Sequence, residues 1–228
     1  MPDEKVFMDG LTIFEDRGVR QFLLIGPDNA LVIDTGYADT RLLETVRQHT
    51  DRPLQVLLTH ADPDHAGGLS EFGEGWLHER DWSLVATGPK LHPLRDGDVF
   101  RCGDFALEVI EIPGHTPGSV AFFDSERGLL ISGDSIQKEG PIYMFGSYRN
   151  LDRYIESLRR LLDMSDRIRL ILPSHHSLPI GPERIGRDLE DAISLREGRL
   201  AGEPDPLRPC WIYHGQWTDF LAPAPVIG

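Results

Sequence analysis

The residues best equipped for chemistry stand in one short stretch, Thr59-His60-Ala61-Asp62-Pro63-Asp64-His65-Ala66-Gly67-Gly68, which places two histidines and two carboxylates within six residues. It directly follows the apolar run Val56-Leu57-Leu58, which ends like a buried strand. A strand tip that opens into a loop dense with His and Asp is poor core material and good material for holding a metal. The side chains at positions 60, 62, 64 and 65 alternate and then double up, so the loop can serve two adjacent centres. Pro63 stiffens the turn, and Gly67-Gly68 allows close backbone approach before the next helix.

The elements that must position this loop follow from periodicity. Val6 to Ile13, Gln21 to Ile25 and Ala30 to Asp34 read as strands of a meander at one edge of a sheet. Asp39 or Thr40 can cap a helix running to about His49, because Leu42, Leu43 and Val46 recur at helical spacing. Strand, helix, strand makes a βαβ unit, so Asp34 and His60 should reach the same C-terminal end of parallel neighbours. Asp34 is then either a carboxylate that orients the metal loop or a simple turn cap. Gly67 to Phe72 reads as a short helix and Trp76 to His78 as a short strand. Alternation from Val99 to Ile112 opens a second sheet, which Val120 to Phe123 and Leu129 to Ile131 continue. Ser135 to Arg149 reads as a loop whose aromatics, Tyr143, Phe145 and Tyr148, either shape a substrate pocket or pack on the next helix. That helix runs from Asn150 or Asp152 to about Met164, and another from about Pro182 to Arg199 closes the fold. Residues 201–228, with Pro204, Pro206 and Pro209, read as a C-terminal surface tail.

Bulk properties narrow the function classes. With 228 residues the chain suffices for one domain with a real core, and no seam divides it. A formal charge of −14 argues against nucleic acid or an anionic membrane as partner and leaves a small-molecule substrate. No apolar stretch approaches the ~20 residues of a membrane span. Met1-Pro2-Asp3-Glu4-Lys5 lacks the order of a signal peptide, so a soluble, cytoplasmic protein is expected. Cys102 and Cys210 match neither a zinc ribbon nor a disulfide framework and read as inert buried thiols. Any bound metal must therefore be held by histidine and carboxylate. His49, His78, His92 and His214 stand outside every motif and read as ordinary hydrogen-bonded side chains.

Further marks appear downstream in order: Pro113-Gly114-His115-Thr116-Pro117-Gly118-Ser119, Leu130-Ile131-Ser132-Gly133-Asp134, and Ile171-Leu172-Pro173-Ser174-His175. Together with Leu31-Val32-Ile33-Asp34-Thr35-Gly36 and the loop at His60, they resemble the metallo-β-lactamase-fold hydrolases. One departure stands out, for Asp62 occupies the second histidine of the His-x-His-x-Asp-His signature. The resemblance implies an α/β fold of four layers, an αββα sandwich. It implies two divalent metal ions, one held by His60, Asp62 and His115, the other by Asp64, His65 and His175, with Asp134 as the bridge. Too few residues follow the closing helix for the helical substrate-binding domain of the family's glyoxalase II members.

Such a pair of ions makes hydroxide from water near neutral pH and polarises an acyl carbonyl. The leading expectation is thus a metal-dependent hydrolase of an ester, thioester or lactone, with metal-bound hydroxide as nucleophile and Asp64 as ligand and proton acceptor. Tyr143 and Tyr148 are its candidate substrate contacts. Zinc suits the set overall, but the added charge of Asp62 makes the first site harder and favours iron or manganese. A carboxylate here resembles the flavodiiron proteins, which use Glu and carry a flavin domain. Mononuclear iron on His60, His115 and Asp134 would resemble the family's persulfide dioxygenases, the second reading. A non-catalytic member that only binds a ligand is the third.

Overall fold

In the computed structural model, which describes residues 2–224, the first sheet grows from a meander. Strands β1 (Asp3–Met8), β2 (Leu11–Asp16), β3 (Val19–Ile25) and β4 (Ala30–Ile33) pair antiparallel in chain order. The single strand expected from Val6 to Ile13 is instead two arms of a hairpin, because Asp9-Gly10 turns the chain and Gly10 takes φ 75°. Helix α1 (Leu42–Arg47) crosses to β5 (Leu54–Leu57), which lies parallel to β4. It is shorter than expected: the Thr40 hydroxyl donates to Asp16 Oδ2 at 2.8 Å rather than capping, and Arg41 at the cap has φ 55°. A separate turn, α2 (Pro63–Ala66), precedes the helix expected over Gly67–Phe72, which narrows to one turn, α3 (Leu69–Phe72). Two more parallel strands, β6 (Glu74–His78) and β7 (Lys90–Leu94), complete a seven-stranded sheet.

The second sheet begins with β8 (Val99–Cys102), β9 (Phe105–Glu111), β10 (Val120–Asp124) and β11 (Leu129–Gly133), all antiparallel. The chain leaves through β12 (Ile142–Tyr143) and α4 (Leu151–Asp163), then returns as β13 (Leu170–Pro173) parallel to β11. Phe22, Leu24 and Leu31 meet Val109, Phe122 and Ile131 between the sheets. Val32 and Val56 bury the first sheet's outer face under Leu42, Val46 and Leu69. Ala121, Phe123 and Leu130 bury the second sheet's outer face under Tyr154 and Leu158 of α4 and Ile185 of α5 (Glu183–Arg196). The layers are those of the expected αββα sandwich.

One expectation is overturned at the C-terminus. Residues 201–222 are no surface tail: β14 (Ala201–Pro204), β15 (Trp211–His214) and β16 (Phe220–Ala222) join β12 in a third sheet, ordered β12-β16-β15-β14. Phe220 is fully buried, edge-on to Tyr154, a burial that contributes about 1.5–3 kcal/mol. The turn into β16 is held by Asp191 of α5, whose carboxylate accepts from the backbone N–H groups of Gln216, Trp217 and Thr218. The last part of the expected tail, residues 225–228, lies outside the described residues. Cys102 and Cys210 are free and buried, as expected. Among the described residues, no helix is long and apolar enough to cross a membrane.

Candidate metal centre

Each loop of interest leaves the C-terminal end of a strand or the gap between two. Asp34 follows β4, His60 follows β5, and α2 carries Asp64 and His65. His115 lies between β9 and β10, Asp134 follows β11, and His175 follows β13. Gly114 explains how the His115 loop packs so closely, since it holds φ 141° and any Cβ there would lie 2.4 Å from the Tyr154 backbone.

The structure brings all seven expected ligand side chains together. Asp62 Oδ2 lies 3.6 Å from His60 Nε2 and 3.2 Å from His115 Nε2, and His115 Nε2 lies 3.6 Å from Asp134 Oδ2. A second set stands beside it. Asp64 Oδ2 is 3.7 Å from His65 Nε2 and 3.3 Å from His175 Nε2, which lie 3.2 and 3.4 Å from Asp134 Oδ1. A cation bonded at ~2.0–2.2 Å spaces tetrahedral donors about 3.3–3.6 Å apart, close to these separations. The two oxygens of Asp134 face different sets, as a bridging carboxylate would.

Hydrogen bonding fixes which imidazole nitrogen faces inward. His65 Nδ1 donates to Asp34 Oδ2 at 2.8 Å, His115 Nδ1 to the Tyr143 carbonyl at 3.1 Å, and His175 Nδ1 to the Gly18 carbonyl at 2.7 Å. Thr59 Oγ1 donates to Asp34 and accepts from His60 Nδ1 at 2.9 Å. Every Nε2 therefore faces the centre, free to bind a cation once deprotonated. His60 Nε2, His65 Nε2, His115 Nε2 and Asp134 Oδ1 are buried with no hydrogen-bond partner. Leaving a buried polar atom unpaired costs about 1–3 kcal/mol, so four converging on one place fit a cation. The field has the right sign. Burial opposes ionisation of Asp62, yet His115 and His60 hold its carboxyl well below the usual carboxylate range. Burial also lowers His175, but Asp134 and Asp64 outweigh it and push the imidazole up to about 10. Carboxylates that hold a proton so firmly would hold a divalent cation at the same nitrogens.

Asp34 sits behind the metal loop, as one of its two readings expects. Fully buried at φ 61°, it also accepts from the Thr59 backbone at 2.7 Å, and so fixes His65 and the end of β5 together. Four other histidines lie apart, each beside a carboxylate: His49 with Glu4, His78 with Glu111, His92 with Glu74, and His214 with Asp219.

A cavity of about 710 Å³ opens on the centre, with Asp62, Asp64, Asp134 and His175 on its floor and Arg17, Arg20, Tyr37, Gln137, Tyr143 and His176 on its walls. Tyr143 thus faces the cavity. Tyr148, the other candidate contact, is not among these lining residues; its hydroxyl donates to Asp62 Oδ1 at 3.3 Å.

Three supporting residues escape the sequence reading. Arg149, with a side chain only 8% exposed, forks from Asp62 Oδ2 to the His115 carbonyl, each at 2.5 Å. Arg20 donates to the carbonyls of Pro173 and His176, which flank His175, and pairs with Glu15 at 2.7 Å. Fully buried Asp81 accepts from the Ala61 and Gly118 backbone and the Thr116 hydroxyl, tying the His60 loop to the His115 loop. No local pattern marks any of them, since the site loops that they hold are distant in sequence.

The chain is similar to several known proteins. An acyl-coenzyme A thioesterase, MBLAC2, from Gallus gallus is 29% identical, covering 76% of this chain and 77% of its own. The hydroxyacylglutathione hydrolase of Nitrosomonas europaea is 30% identical, over 65% of this chain and 56% of that one. A metallo-beta-lactamase from Pontibacter korlensis superposes with a TM-score of 0.72, covering 85% of this chain and 99% of that one at 17% identity, which speaks to the fold alone. The model of the metallo-beta-lactamase superfamily matches residues 15–175, from the meander through the last of the seven side chains, and the chain belongs to that superfamily.

Proposed function

We propose that this superfamily enzyme is a hydrolase of acyl thioesters that works with two divalent cations held by His60, Asp62 and His115 and by Asp64, His65 and His175, with Asp134 between them. The observation that carries this reading is the pair of converging donor sets that face the two oxygens of one carboxylate. When bound, such cations supply a deprotonated water at neutral pH and polarise an acyl carbonyl. Among the described residues, the cavity lining contains no Ser, Thr or Cys, and in this reading the acyl group passes to water. Hydrolysis then yields a carboxylate and a free thiol. Asp64, at the cavity floor, accepts the proton, and Tyr143 on the wall contacts the substrate.

The thioester is favoured over an ester or lactone because two of the relatives named above act on thioesters by their printed names. The test is turnover of acyl-coenzyme A, acylglutathione, ester and lactone panels by zinc-, manganese- and iron-loaded protein. Release of thiol, lost on chelation and in Asp134→Ala, is the expected result. A protein with two cations bound that leaves every thioester intact would overturn the reading.

A further inference from the structure

Asp62 keeps unusual company for a ligand. Arg149 Nη2 donates to its Oδ2 at 2.5 Å, and the same oxygen faces His60 Nε2 at 3.6 Å and His115 Nε2 at 3.2 Å. The guanidinium packs over the Tyr148 ring at 4.8 Å, and the Tyr148 hydroxyl donates to Asp62 Oδ1. Its other arm, Nη1, holds the His115 carbonyl, so one fork spans two ligands from separate loops. The second donor set has nothing comparable: Arg20 grips only backbone carbonyls beside His175 and spends its charge on Glu15.

Lone pairs explain the difference. A carboxylate offers about four acceptor positions, so Asp62 can take hydrogen bonds from Arg149 and Tyr148 and still bind a cation. A neutral imidazole has a single lone pair, which a guanidinium pointed at it would occupy. Charge leads the same way, since Asp62 adds one negative charge to the first set and Arg149 adds one positive charge against it.

We infer that Asp62 and Arg149 are a matched pair, in which Arg149 positions the carboxylate and cancels its charge, so that the first site presents a cation with the net charge of three imidazoles. Arg149 is a positioning residue. The pairing rests on the two-cation reading, and it removes the reason that Asp62 gives for preferring iron or manganese over zinc.

The test is a double-mutant cycle on the full chain, reading zinc and manganese affinity at both sites by chelator competition rather than by turnover. In Asp62→His, the first site should weaken by about 10- to 100-fold, because Arg149 donates into the new imidazole. In Asp62→His/Arg149→Met, it should recover to within about threefold of Arg149→Met alone, the margin of independent changes. Arg149→Met alone should narrow the preference for zinc over manganese by about tenfold. The second site, left within about threefold throughout, reports that each variant is folded. If methionine is not accommodated, Arg149→Ala reads the same coupling. Equal weakening by Asp62→His in both backgrounds, or none, overturns the pairing while the two-cation reading stands. A parent protein that takes up no zinc overturns both.

Discussion

The two donor sets are built from nearly the same parts and supported differently. In the first, His60, Asp62 and His115 are all buried, and an arginine touches a ligand side chain directly. In the second, Asp64 and His175 are partly exposed at the cavity floor, the supporting arginine touches only backbone, and a buried carboxylate, Asp34, stands behind His65. The first set is thus the enclosed one, tuned by charge from behind, and the second is the open one, where substrate and water have access. The contrast also shows that a carboxylate in place of an imidazole need not change a site's net charge when the fold supplies a cation beside it.

The comparison breaks most completely at the one group both sets share. Asp134→Ala should release both cations and lower thioester hydrolysis by about 10³-fold or more, measured by metal content and thiol release. Asp34→Ala should separate the sets. It strips the acceptor from His65 directly and reaches His60 only through Thr59, so the second site should lose about 10- to 100-fold in zinc affinity and the first site less. The same variant should lose about 2–4 kcal/mol of stability in denaturant unfolding.

The sequence made the second set easier to foresee than the surroundings of the first. Asp64 and His65 stand in the loop at residue 60, and the resemblance to the metallo-β-lactamase-fold hydrolases joined His175, just past an apolar strand, to them. Arg149 was hidden because its partner, Asp62, lies 87 residues away, and nothing local distinguishes an arginine in a polar loop. The C-terminal sheet was hidden for a related reason. Its strands are only two to four residues long, prolines interrupt the intervening chain, and β16 finds its partner in β12, far upstream. Yet that sheet reaches the centre, for β12 carries the Tyr143 carbonyl that fixes His115.

Two milder changes sharpen the contrast. Arg20→Ala should cost about 1–3 kcal/mol in unfolding, since two loop carbonyls lose their donor, without altering the preference of either site among metals. Tyr148→Phe removes one long hydrogen bond to Asp62 and should weaken zinc binding at the first site by no more than about 1 kcal/mol in chelator titration.

The central claim is that seven side chains, from His60 to His175, hold two cations on either side of Asp134. A crystal structure of the as-isolated protein, with anomalous difference maps at the zinc, iron and manganese edges, tests it most directly. The account predicts two peaks, one bounded by His60, Asp62 and His115, the other by Asp64, His65 and His175, each beside one oxygen of Asp134. A single peak, or none within bonding reach of Asp134 in metal-supplemented crystals, would contradict it.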